Sequence, residues 1–151
     1  MDAQPNPWLS WHYVERNWAE ISDALTTHTT LTLQAVAIAL VIAFPLAVLA
    51  KQVTWLSGPV LGTAGVLYTV PSFALFALLA PFTGIGRTTV LIGLVMYALL
   101  VLVRNILIGL RGVDRDVVDA ARGLGYGRWR LLFEVELPNA LPSIVAGLRI
   151  A

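Results

Sequence analysis

The residues most able to do chemistry are crowded into one short stretch near the end of an otherwise apolar chain. From Asp119 to Pro138 the sequence reads DAARGLGYGRWRLLFEVELP, which combines arginines, carboxylates and glycines. The glycines at Gly123, Gly125 and Gly127 have the spacing G-x-G-x-G, whereas the dinucleotide fingerprint is G-x-G-x-x-G and follows a strand. Because no strand is predicted before these glycines, we do not expect them to bind a nucleotide.

Other catalytic groups are scarce. A phosphate-binding loop needs a Gly-Lys pair, but the single lysine, Lys51, follows an alanine. The histidines, His12 and His28, lack metal-ligand spacing, and the chain has no cysteine. No Asp or Glu lies between Ala24 and Val113, so this stretch lacks the carboxylates that proton- or sodium-driven transporters use. We therefore predict no catalytic residue, no metal site and no cofactor in this chain.

The composition is that of a membrane protein. Hydrophobic residues make up 58% of the chain and charged residues 13%, and the mean hydropathy is +0.77. A soluble domain has about 25% charged residues. These values predict an all-α, polytopic membrane helix bundle, for which the lipid bilayer is the expected partner and nucleic acid is not.

Apolar runs divide the chain into predicted segments. In residues 1–24, Trp11, Val14, Trp18 and Ile21 recur at helical spacing, which predicts an amphipathic helix at the membrane interface. About twenty helical residues cross a hydrocarbon core of about 30 Å, so the final apolar run is too short and we expect the sequence to be a fragment of a longer protein. The predicted transmembrane domain is 25–151, with spans at about 31–50, 59–80 and 88–110, a polar segment at 111–138 and an incomplete span at 139–151.

Small residues in the first two spans predict close helix packing. In the first span Gln34 is expected to form an interhelical hydrogen bond rather than to line a pathway, and Pro45 is expected to kink the helix. In the second span the sequence TVPS, at Thr69–Ser72, is expected to loosen the backbone hydrogen bonding. The small residues are Ala35, Ala39, Ala43 and Ala47 in the first span, and Gly58, Gly62 and Gly65 in the second.

The distribution of basic residues predicts the orientation. Five arginines lie in the polar segment, and Lys51 and Arg104 fall on the same side if three spans alternate. Arg16 and Arg87 fall on the other side, and Arg87 argues weakly against the assignment. Since positive charge accumulates on the cytoplasmic side, we predict that the polar segment is cytoplasmic and that the N-terminus is outside.

The polar segment itself reads as two short helices joined by a glycine turn. Val117, Ala121 and Leu124 share one face of the first helix, and Gly125 is placed to end it in the left-handed conformation. The second helix is predicted to carry Trp129, Leu132 and Phe133 on one side, and Pro138 to begin the next span. From the residues alone, a rigid docking element and a solvated loop are equally acceptable interpretations.

This segment resembles the cytoplasmic EAA motif of binding-protein-dependent ABC importer permeases, which reads E-A-A-x3-G-x9-I-x-L-P. The match is in register over twenty residues, with Asp in place of Glu and Val in place of Ile. The stretches LYTVPSFALFALLAPFTGIG and VELPNALPSIVAGLRIA are similar to the osmoprotectant branch of that family. The motif positions are Asp119, Ala120, Ala121, Gly125, Val135, Leu137 and Pro138.

The resemblance implies a type I ABC importer permease fold and a permease subunit in the bacterial plasma membrane. The motif would then form a coupling helix that docks on a cytoplasmic ATPase, and that ATPase would use ATP and Mg²⁺. The other implied partners are a second permease subunit, identical or paralogous, and an extracytoplasmic solute-binding protein. The implied solutes are glycine betaine, carnitine or choline.

Alternatives to this hypothesis are an ABC permease for another small solute such as an amino acid, a passive channel, and a membrane scaffold or membrane enzyme.

A small set of residues around the second span are candidates to line a pathway, although packing explains the aromatic ones equally simply. They are Tyr68, Pro71, Ser72, Phe73 and Tyr97.

Overall fold

The computed structural model describes residues 11–151, and every regular element in that range is helical. The chain divides into two units, 1–33 and 34–151. The helices are α1 (Trp11–Arg16), α2 (Trp18–Gln52), α3 (Ser57–Thr69), α4 (Ser72–Thr83), α5 (Arg87–Arg111), α6 (Arg115–Gly123), α7 (Arg128–Leu131) and α8 (Leu137–Ile150), with a 3₁₀ turn at Thr54–Leu56 and a π-helical segment at Leu132–Glu136.

The first unit contains α1 and the beginning of α2. The two helices meet at Asn17, whose side-chain amide donates to the carbonyl oxygen of Tyr13 at 2.8 Å. Trp11 and Trp18 are largely exposed. The predicted interfacial segment does not end as a separate element at residue 24, because α2 continues through that position; its first ten residues lie outside the described range.

The second unit has a core built around the alanine stripe of α2. Ala39, Ala43 and Ala47 have no exposed surface, and they cluster with Leu102 and Ile106 of α5. Alanine side chains leave room for neighbouring helices to approach closely. The predicted packing role of this stripe is thus confirmed.

Close approach also occurs between α5 and α8, at glycines for which no packing role was predicted. A Cβ atom built at Gly147 would lie 2.7 Å from the Cβ of Asn105, and one built at Gly109 would lie 2.9 Å from the Cβ of Ser143. Both distances are shorter than real side chains tolerate. Glycine is therefore required at both positions for these helices to pack as they do.

The expected single span over 59–80 is instead two helices, α3 and α4, which meet at an angle of 97°. The cause lies at Val70 and Pro71. A residue before proline is pushed towards extended conformation, and Val70 has φ −68° and ψ 125°. Proline also lacks the N–H needed to continue the helix, so the loosening expected at TVPS becomes a complete break.

The glycines of α3 do not make the tight contacts predicted for them. Within residues 11–151, no heavy atom of another element lies within 4 Å of a Cβ built at Gly58, Gly62 or Gly65. This face of α3 is therefore open in the described chain.

The boundary expected near Pro138 is also absent, because one helical run extends from Arg128 to Ile150. The π-helical segment explains how proline is accommodated. The N–H of Leu137 donates to the carbonyl oxygen of Leu132, five residues back, so the wider turn ends directly before the residue that has no N–H to give. The expected incomplete span at 139–151 is therefore the continuation of a helix that starts in the polar segment.

Three helical stretches among the described residues are long and apolar enough to cross a membrane, and the bent α3–α4 pair would make a fourth if it acts as one span. The three are Trp18–Gln52, Arg87–Arg111 and Arg128–Ile150.

Candidate functional site

Helix α6 carries the first half of the candidate docking motif, and a capped first turn fixes its start. The Oδ1 atom of Asp114 accepts a hydrogen bond from the backbone N–H of Asp116 at 2.9 Å, which satisfies one of the N–H groups that a helix start leaves unpaired. Further along, Arg122 and Asp119 form an ion pair of 3.3 Å. Both side chains are about two-thirds exposed, so this pair adds little stability.

The end of α6 is a Schellman motif built on Gly125. This glycine has φ +82°, and its N–H donates to the carbonyl oxygen of Arg122 at 2.9 Å. The N–H of Tyr126 reaches back to the carbonyl oxygen of Ala121 at 3.1 Å. These are the two bonds that define the motif, so the predicted left-handed ending at Gly125 is confirmed and the path of the chain after α6 is fixed.

The face of α6 expected to be apolar is only partly buried. Ala121 is buried, whereas Val117 is 45% exposed and Leu124 is 79% exposed. Asp119 and Ala120 are exposed as well. The outward surface of α6 therefore combines a carboxylate, a small residue and two apolar side chains.

The prediction that Trp129, Leu132 and Phe133 share one side of the next helix is wrong. Leu132 is 3% exposed and belongs to the core, while Trp129 and Phe133 point away from it and stack on each other with ring centroids 6.3 Å apart. Because an α-helix has 3.6 residues per turn, Leu132 and Phe133 are rotated in opposite directions from Trp129 about the helix axis. Phe133 stays with Trp129 on the exposed side, and Leu132 faces the core.

The exposed side of this helix is further ordered by Arg130. Its guanidinium lies over the ring of Tyr126, 4.2 Å from the centroid, and its Nε is 2.9 Å from the Oε2 of Glu134. These contacts connect the glycine turn to the helix that follows it.

The second half of the motif lies where the π-helical segment joins α8. Val135 and Leu137 are partly buried and Pro138 is exposed. Between them Glu136 is 7% exposed, one of the few buried polar residues in the described chain.

Three side chains from different elements meet the last residues of α2, a junction defined here as Ala50–Gln52. The Nζ atom of Lys51 lies 2.5 Å from the Oε2 of Glu136. Arg111, at the end of α5, donates to the carbonyl oxygen of Ala50 at 3.0 Å and also bonds the hydroxyl of Ser57. Arg128, at the start of α7, donates to the Oε1 of Gln52.

Sequence reasoning missed this junction because it used Lys51 only to exclude a phosphate-binding loop and to assign the orientation, and it treated Glu136 as a variable motif position. A signal was available. Lys51 is the single lysine, and a lysine at the end of an apolar span extends its ammonium group to the polar boundary. The segment that contains Glu136 was predicted on that same side. Two cavities of about 440 and 310 Å³ flank the junction, and both are lined by Lys51, Arg122 and Glu136.

The candidate pathway residues gather around the break between α3 and α4. The hydroxyl of Tyr97 donates to the carbonyl oxygen of Val70, the cap of α3, which is a carbonyl that the broken helix leaves without an internal partner. Tyr68 and Tyr97 meet edge to face with centroids 6.0 Å apart. Pro71, Ser72 and Phe73 follow directly and are exposed.

Gln34 takes part in a contact between helices, as expected. The Nη2 atom of Arg87 donates to its Oε1 at 2.9 Å. Together with the bond from Arg111 to Ala50, this contact shows that this part of α2 and α5 run in the same direction.

Across residues 11–151, no group of three His, Cys, Asp or Glu side chains is placed to hold a metal ion.

The chain belongs to the family described as the binding-protein-dependent transport system inner membrane component, whose model matches residues 35–151. Its helical architecture and apolar spans are those of the type I ABC permease fold. The family is the membrane component of such transport systems.

Among its curated relatives are three permeases of related transport systems. The chain is 39% identical over 124 residues to the carnitine transport permease protein OpuCB of Listeria monocytogenes, covering 82% of this chain and 57% of the relative. It is 30% identical over 137 residues to the glycine betaine/carnitine/choline transport system permease protein OpuCB of Bacillus subtilis, covering 91% and 63%. It is 38% identical over 145 residues to the osmoprotectant import permease protein OsmW of Salmonella typhimurium, covering 93% and 67%. The chain thus spans about three-fifths of the first two relatives.

Proposed function

We propose that this chain is a permease subunit of an ABC importer, that it forms part of the solute pathway, and that a cytoplasmic ATPase drives it through α6. Family membership and the names of three relatives support this proposal. ATP and Mg²⁺ are used by the ATPase, and this subunit contributes no catalytic group.

The observation that carries the proposal is the geometry of the EAA-like segment. Asp119 and Ala120 form an exposed corner, the cap at Asp114 fixes one end of α6, and the Schellman motif at Gly125 fixes the other. A rigid element of this kind transmits displacement without absorbing it. When two ATPase subunits close on ATP, they favour one arrangement of the helices through contacts that differ between the two states.

We propose quaternary ammonium osmoprotectants, of the glycine betaine, carnitine and choline type, as the solutes. The relatives carry these solutes in their names. Aromatic faces attract such cations, and Tyr68, Phe73 and Tyr97 stand at the helix break together with Pro71 and Ser72. A solute-binding protein delivers the solute outside the membrane, and a second permease subunit completes the pathway.

The proposed function is tested with a backbone variant that leaves the docking side chains in place. Gly125→Val forces a β-branched residue into a left-handed conformation, at a cost of about 1–2 kcal/mol or more, and should redirect the chain after α6. We expect loss of ATPase co-purification and of salt-stimulated uptake of labelled glycine betaine by cells expressing the permease with its partners.

Gly127→Val is the matched control, since Gly127 has φ −71° and neither glycine has a neighbouring heavy atom of the described chain within 4 Å of a built Cβ. Uptake and ATPase association that survive Gly125→Val would contradict docking through α6. Uptake that continues without the ATPase would indicate a passive channel, and competition by an amino acid but not by choline or carnitine would indicate a different cargo.

A further inference from the structure

The last three residues of α2, Ala50–Gln52, are contacted by side chains from several other elements. The last carbonyl groups of a helix have no partner within the helix and carry partial negative charge. Arg111 meets this need by donating to the carbonyl oxygen of Ala50, and the hydroxyl of Ser57 donates to the same atom at 2.7 Å. The junction therefore connects the end of α5 and the start of α3 to the end of α2.

The other two contacts at the junction come from the helix that follows α6. Arg128 bonds Gln52 at the start of this helix, and Glu136 pairs with Lys51 two turns later. The segment from Arg128 to Glu136 thus lies against the end of α2 at two points. If this segment moves, its two polar contacts pull directly on the end of α2.

Among these links, the pair of Lys51 and Glu136 is the one in which both partners are charged. Its side chains are only 21% and 10% exposed, so water screens the attraction less than at the surface. Removing one charge of a buried pair leaves the other uncompensated. Cations also line both cavities beside the pair, Arg111, Arg115 and Arg122 in the larger one and Arg122 and Arg128 in the smaller. Asp119 lines the larger cavity and pairs with Arg122, whereas Glu136 is the carboxylate that lines both.

We propose that Lys51 and Glu136 are positioning residues for energy coupling. ATPase closure displaces α6 and the segment Arg128–Glu136 that follows it, and the ion pair passes this displacement to the membrane helix α2. This inference rests on the proposed function and adds residues outside the docking surface. A merely structural pair would change the amount of folded protein, whereas a coupling pair changes the solute carried per ATP hydrolysed.

The test uses the complete permease with its ATPase and binding protein in lipid vesicles. Glu136→Gln keeps the shape of the side chain and removes its charge. We expect the ATPase to remain associated and ATP hydrolysis to continue, while labelled glycine betaine carried per ATP falls about tenfold, since the partner charge is left uncompensated. The double variant Lys51→Glu with Glu136→Lys restores the pair in reverse and should recover much of the ratio.

Glu134→Gln is the matched control, because Glu134 is also paired with a cation, Arg130, but within its own helix and at the surface. It should leave the ratio unchanged. If Glu136→Gln does not accumulate in membranes, the double variant is compared with Lys51→Gln instead. A double variant that carries no more glycine betaine per ATP than Lys51→Gln overturns the proposal. A Glu136→Gln complex as well coupled as the wild type overturns it too, whereas a wild-type complex that carries no glycine betaine contradicts the proposed function instead.

Discussion

Ala120 and Ala121 are neighbours with identical side chains, yet one is exposed and the other is buried. Ala121 is 7% exposed, and its carbonyl oxygen accepts the long bond of the Schellman motif. Ala120 is exposed beside Asp119. The motif's two alanines therefore serve different purposes, since one lets α6 pack on its own chain and the other leaves room for the proposed partner.

Enlarging each alanine separates these purposes. Ala120→Leu should leave thermal stability within about 0.5 kcal/mol, as surface substitutions usually do, but abolish ATPase co-purification by filling the docking surface. Ala121→Leu should overpack a buried position and cost about 1–3 kcal/mol. Thermal unfolding in detergent and co-purification measure both effects; an Ala120→Leu permease that still holds its ATPase would remove Ala120 from the docking surface.

At the scale of elements, the packing of α5 on α8 depends on two glycines, whereas the glycines of α3 meet nothing in the described chain. A Cβ at Gly109 would lie 3.0 Å from the carbonyl oxygen of Ala140, which is backbone and cannot rotate away. Gly62 is equally helical and open. The two positions thus have the same helical backbone conformation and differ in the room available for a side chain.

Gly109→Ala and Gly62→Ala form a matched pair. In an open helix, alanine is favoured over glycine by about 1 kcal/mol, so Gly62→Ala should hold or raise the unfolding temperature. Gly109→Ala should lower it, because the helices must separate and lose close contacts, at a cost of about 1–3 kcal/mol. Thermal unfolding of both variants in the same detergent is the measurement, and equal stabilities would show that α5 and α8 have room to adjust.

At the scale of the whole molecule, the basic residues of the polar segment and Lys51 come together at one end of the membrane helices. Arg111 and Arg128 both contact the end of α2 there. Arg87, the residue that argued against the orientation, begins α5 and bonds Gln34 instead. Its single charge therefore lies at the opposite end of α5 from this group, and we propose the basic end as the cytoplasmic one.

The absence of cysteine from the sequence makes this orientation easy to test. Ile85 is fully exposed between α4 and α5, and Leu124 is 79% exposed after α6. A membrane-impermeant thiol reagent added to intact cells should label Ile85→Cys and spare Leu124→Cys, with the reverse result in inverted vesicles. Labelling of Leu124→Cys from outside would place the docking segment on the wrong side for any ATPase.

Sequence alone determined the features that depend on neighbouring residues. Helical membrane character follows from composition, the buried alanine stripe follows from its spacing of four, and the left-handed Gly125 follows from helix-ending chemistry. Each is decided within one or two helical turns, where residue type and spacing are sufficient.

Tertiary structure alone decided the rest. The 97° angle at Pro71, the uninterrupted helix through Pro138, and the pairing of Lys51 with Glu136 were not predicted. A proline shows where a helix can break but not whether a wider turn will carry the helix past it, and two ionisable groups far apart in sequence pair only when packing brings their helices together. The physical reason is that such contacts are set by how whole helices fit against one another, which no local pattern records.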